Sequence, residues 1–87
     1  MSGAPQLPEP NFDAVMQIVG GPALLHLGVV PNPVSGQVEK NIELARLHID
    51  LLHVLEQKTR GNLSSQESGR LDGFLHQLHD LYLKARA

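Results

Sequence analysis

Cysteine is absent from this 87-residue chain, so no disulfide framework and no thiolate metal site can supplement its core, and nothing in the composition points to an oxidising compartment. Charge of one sign is missing too: seven Lys and Arg stand against nine Asp and Glu, mixed along the sequence, for a formal charge of −2. That balance offers no sustained positive field to nucleic acid or anionic lipid. There is no Gly-rich phosphate loop, no H-E-x-x-H pair and no nucleophile at a recognisable spacing from a base, so no residue qualifies as catalytic or cofactor-binding and a non-enzyme is expected. The length allows one domain, and a domain near this size buries only roughly 60–65% of the surface that its unfolded chain exposes. With disulfides and thiolate sites excluded, oligomerisation is the remaining reinforcement.

The opening MSGAPQLPEPN lacks the basic segment and uninterrupted apolar run of a secretory signal, which predicts a cytoplasmic location. Pro5, Pro8 and Pro10, with Leu7 as the one sizeable apolar side chain, predict a disordered Pro-rich leader over 1–11 ahead of a single helical domain over 12–87. The longest apolar stretch, Phe12 to Val30, approaches spanning length. Asp13, Gln17, His26, three glycines and Pro22 interrupt it, which favours a buried helix over a membrane span.

The fold class is read as all-α: a three-helix unit over about 12–28, 37–60 and 65–84 with a long central helix, assembled as a homo-oligomeric bundle. Asn11 or Asp13 caps the first helix, and Gly28 ends it ahead of Pro31 and Pro33. Its apolar residues fall nearly all round the wheel at 100° per residue, the pattern of a helix surrounded by protein. Gly20-Gly21-Pro22 lies inside it, predicting a kink, or a break with Pro22 opening a new segment, and the glycines also suit a close helix approach. The VVPNPVSG segment from Val29 to Gly36 is a loop by its X-Pro steps and Ser-Gly turn, short enough to lay the first two helices side by side and antiparallel.

The second helix is expected from Gln37 to Arg60, about 36 Å at 1.5 Å per residue. Val38, Ile42, Ala45, Ile49 and Leu52 form one apolar row, and Leu44, Leu47, Leu51, Val54 and Leu55 a second. Glu39, Glu43, Arg46, Asp50, His53 and Gln57 fill the narrow polar arc that remains. One neighbour requires an apolar stripe of only about 100°, so this helix is expected to be covered on two sides. Lys58 and Arg60 suit the end of the helix dipole, and Gly61 suits the left-handed position after the cap. Ser64 and Glu67 have capping-box spacing without a hydrophobic staple, leaving Leu63 to turn into the core. In the third helix Leu71, Phe74, Leu75, Leu78, Leu81 and Tyr82 share one face, while Gly69 and Gly73 fall on exposed positions.

Five histidines raise the question of a metal. His76, His79 and Asp80 can share one helix surface, but His76 and His79 stand about 60° apart among solvated residues, and a solvated polar face is the simpler reading. Asp50, His53 and Arg46 form an i, i+3, i+4 cluster that resembles half of a catalytic relay, with nothing to complete it, so surface pairing or an inter-subunit contact is expected. His48 and His26 lie on apolar faces and read as core or interface histidines with a hydrogen-bonding partner. No metal ligand and no cofactor is expected from these sets. A helix-turn-helix reading fails on the third helix, where Arg70, Lys84 and Arg86 are balanced by Glu67, Asp72 and Asp80.

Ala23-LLHLG-Gly28, Pro33-VSG-Gly36, Asn41-IELAR, Ile49-DLL-Leu52 and Lys58-TRGNLS-Ser64, in that order, resemble the uncharacterised bacterial family called domain of unknown function 1844, over roughly residues 12 to 83. The Gly20-Gly21-Pro22 triplet departs from the smoother helix usual there. The resemblance implies a small helical bacterial cytoplasmic protein and supplies no activity, substrate or catalytic residue. Excess apolar surface therefore carries the functional expectation: a module that self-associates, most simply as a homodimer, through Val15, Ile18, Val19, Leu44, Leu47, Leu51, Val54 and Leu55. An adaptor seating a helix of another protein is the alternative, and a nucleic-acid-associated regulator a third.

Overall fold

In a computed structural model the chain is described from residue 7 to residue 86, so the part of the expected leader that falls on 1–6 lies outside the described residues. Three helices account for the fold: α1 (Phe12–His26), α2 (Ile42–Thr59) and α3 (Ser65–Arg86). Among the described residues there is no strand.

Asn11 starts α1 from an extended conformation, its side chain accepting a hydrogen bond from the Ala14 N–H at 3.0 Å. This satisfies one of the amide donors that a helix start leaves free. At the other end Gly28 takes φ +79°, the left-handed conformation that side chains resist. The Val29 N–H reaches the Leu24 carbonyl and the Gly28 N–H the Leu25 carbonyl, both at 3.1 Å, the paired closure of a Schellman motif. Between these ends α1 runs unbroken through Gly20-Gly21-Pro22, so Pro22 opens no new segment. Pro22 deprives only the Ile18 carbonyl of its donor, and Gly21 lacks the Cβ that disfavours helical backbone before proline. Gly20 sits where the helices crowd: a Cβ there would lie 2.7 Å from the Phe74 ring and 3.1 Å from a Leu52 methyl.

The second helix departs from expectation. It begins at Ile42 and not Gln37, and its 18 residues make it shorter than the 22-residue α3, so the middle helix is not the long one. Residues 37–41 instead close the loop, because Asn32 organises a turn that ties them down. The Asn32 N–H donates to the Gln37 carbonyl at 2.8 Å and its carbonyl accepts from Gly36 at 2.7 Å. Its side-chain oxygen accepts from the Val34 N–H at 2.8 Å, and Glu39 accepts from Ser35 Oγ at 2.6 Å. Val38, expected in the buried row of α2, is a largely exposed loop residue whose side chain lies beside Gly28. Asn41 supplies the real cap, accepting from the Leu44 N–H at 3.1 Å while its own N–H donates to the His26 carbonyl at 2.7 Å. One residue thus starts α2 and fastens it to the end of α1.

After Arg60, Gly61 adopts φ +88° and turns the chain. The capping box is complete: Glu67 N–H donates to Ser64 Oγ at 3.1 Å, and Ser64 N–H donates to Glu67 Oε1 at 2.8 Å. Leu63 packs against the core. The core itself is apolar throughout, built from Met16, Ala23 and Leu27, from Ala45, Ile49 and Leu52, and from Leu71, Leu75 and Leu78. Contacts of His26 with Asn41 and His48, and of Val19 with His48, set α1 and α2 antiparallel. All three helix pairs touch. The result is a flat body, 46 × 39 × 16 Å between Cα atoms, whose thinness leaves each helix with a side that the chain does not cover, since one helix with its side chains is about 10–12 Å across.

Candidate interaction face

Ala45, Ile49 and Leu52 point α2 into the core, and Leu44, Leu47, Leu51 and Val54 point the opposite way. These four side chains are 39–49% exposed. With Lys58 they follow a spacing of three, four, three and four residues, the a/d pattern of a helix seam. The seam is edged unequally. On the side toward α1 stand His48 and Leu55, both partly buried, and beyond them Ile18, which is 69% exposed, and Val15 at 41%. On the side toward α3 stand Glu43, Asp50 and Gln57, all exposed.

Between seam and α1 runs a groove of about 430 Å³ bounded by Ile18, Val19, Leu51, Val54 and Leu55, with His48 and Lys58 as its polar members. Of the eight residues expected at an interface, Val19 and Leu55 pack partly against the core. The other six are exposed on this face or its continuation along α1. One ring nitrogen of the groove is bonded within the chain. His48 Nδ1 donates to the Val19 carbonyl at 3.1 Å, and its ring stacks on His26 at 5.7 Å and 23°, so both histidines sit at the α1–α2 contact.

The clusters suggested by spacing separate in space. Asp50 faces Arg46 at 3.8 Å, but His53 turns to α3, where its Nε2 lies 2.6 Å from His79 Nε2 with the rings tilted by 52°. One imidazole donates to the other. His76 is left exposed, and Asp80 pairs with Lys84 at 3.1 Å. Among the described residues no group of three or more His, Cys, Asp or Glu side chains is placed to hold a metal ion. The two cross-helix histidine pairs were invisible to spacing along one helix, since each depends on the register between two. Opposite the groove, Asp13 and Arg70 join α1 to α3 at 2.7 Å; both are half exposed, and such pairs contribute about 0–1 kcal/mol.

Among the described residues no helix is long and apolar enough to cross a membrane. A family model described as a domain of unknown function (DUF1844) matches residues 9–84, and so covers all three helices but for the last two residues of α3. No curated protein and no solved structure matches the chain significantly.

Proposed function

The chain belongs to the DUF1844 family, and we propose that it works as a small non-enzymatic helical module, bacterial and cytoplasmic, that associates with itself, most simply as a homodimer. The observation that carries this reading is the continuous apolar face of Leu44, Leu47, Leu51 and Val54 with Ile18 and Val15. Together these side chains leave on the order of 550 Å² of apolar surface in water, near the upper end of the largest patch on a typical monomer. Dispersed apolar residues need no such explanation, but this set is contiguous and lies on two packed helices. A site for chemistry has no comparable support: the one buried side-chain oxygen without a partner among the described residues is Oδ1 of Asp13, whose other oxygen pairs with Arg70.

Static light scattering on the purified full chain at micromolar concentration tests the proposal. A mass twice the 9.5 kDa of the chain is expected. A folded monomer across that range overturns it, and leaves the face to an amphipathic helix from another protein.

A further inference from the structure

Resting on the self-association reading, we infer that the occupant of this face is the α2 of a second copy running antiparallel, with Leu47 of each chain opposite Leu51 of the other. A two-fold axis between the helices then also sets Leu44 opposite Val54, so every layer of the seam is apolar on both sides. Lys58 passes beyond the start of the second copy's α2, to the level of Lys40 on its exposed loop.

The unequal edges select this direction. A two-fold axis perpendicular to the helices places like edge against like edge, whereas a parallel pair places each edge against its opposite. In the antiparallel pair the edge of His48, Leu55 and Ile18 lies beside the same edge of the second copy and extends the dry surface from two helices to four. The edge of Glu43, Asp50 and Gln57 meets its copy in water, where each Asp50 already faces its own Arg46. In the parallel pair Leu55 and Ile18 would oppose the acidic edge. Area agrees with a second copy: roughly 550 Å² of apolar side chain per partner, in an interface that is about 65% apolar, corresponds to the ~800 Å² per partner of a standard stable interface.

The absence of cysteine makes the register directly measurable. Leu47→Cys and Leu51→Cys full-length chains carrying tags of different mass are mixed, exchanged and oxidised. The heterodisulfide between positions 47 and 51 is expected to exceed either homodisulfide several-fold, because like positions are offset by about 6 Å along the axis and disulfides do not bridge Cα atoms more than about 7 Å apart. Leu44→Cys with Val54→Cys repeats the test should one seam cysteine weaken assembly, and Val34→Cys, on the exposed loop, gives the collisional background. Homodisulfides in excess overturn the antiparallel register in favour of a parallel one. Seam cross-linking no greater than Val34→Cys, in a protein that scatters as a dimer, overturns this interface while leaving self-association standing; a monomer by scattering removes both.

Discussion

Gly20 and Gly73 are both helical glycines, and replacing each by alanine should change stability in opposite directions. Alanine exceeds glycine in helix propensity by about 0.8–1.0 kcal/mol, and at Gly73 of α3 nothing lies within 4 Å of the added methyl. Gly73→Ala should therefore stabilise by close to the full propensity difference. At Gly20 the same methyl would meet Phe74 Cε2 at 2.7 Å, Leu52 Cδ2 at 3.1 Å and Phe74 Cζ at 3.2 Å. Leu52 is fully buried and has little room to retreat, and overpacking a core typically costs about 1–3 kcal/mol. Set against the propensity gain, Gly20→Ala should destabilise by about 1 kcal/mol. For a domain of this size each kcal/mol moves Tm by roughly 4–8 °C, so the two variants should melt on opposite sides of the parent, separated by about 10 °C. Thermal unfolding followed by circular dichroism at one fixed protein concentration reads both, the fixed concentration removing any contribution from association. A rise in Tm for Gly20→Ala equal to that of Gly73→Ala would refute the close approach of α1 to α2 and α3.

Asn41→Ala removes the α2 cap and should cost about 1 kcal/mol in chemical denaturation, with the change in midpoint and not in slope; no loss would mean that α2 begins elsewhere. Leu52→Ala empties a fully buried site shared by all three helices and should cost about 2–5 kcal/mol, enough to leave a small domain partly unfolded at 37 °C. A cost below about 1 kcal/mol would contradict the assignment of the core.

The parts of this fold that sequence made legible are those decided within a few residues. Asn11 as a cap, Gly28 and Gly61 as left-handed exits, and Ser64 with Glu67 as a reciprocal cap all act through bonds that span three to five positions. The buried face of α3 was also readable, because 3.6-residue periodicity needs no partner to define it. The start of α2 was not. Val38 extends the apolar period by one turn toward the N-terminus and invites a helix from Gln37, yet the Asn32 turn takes the Gln37 carbonyl and Asn41 caps better than anything before it. The end of α3 extends to Arg86, where Ala85 still packs against the core. Of the histidines, His48 met its expected hydrogen bond, but the stacking on His26 and the His53–His79 contact require the relative positions of two helices. The candidate face was legible as an excess of apolar residues; that Leu44, Leu47, Leu51 and Val54 point directly away from the core emerges only once Ala45, Ile49 and Leu52 are seen to fill it.

Self-association through that outward row is the claim on which the functional reading rests, and sedimentation equilibrium of the parent chain beside Leu51→Asp and His76→Ala measures it most directly. Leu51 lies mid-seam and half exposed, so the aspartate is compatible with a folded monomer but not with a dry contact, since an unpaired charge buried there would cost several kcal/mol. His76 lies on the exposed side of α3. The parent and His76→Ala should sediment as dimers at micromolar concentration, and Leu51→Asp as a monomer that retains its helical circular dichroism. Equal masses for all three chains, whether monomer or dimer, would contradict the account.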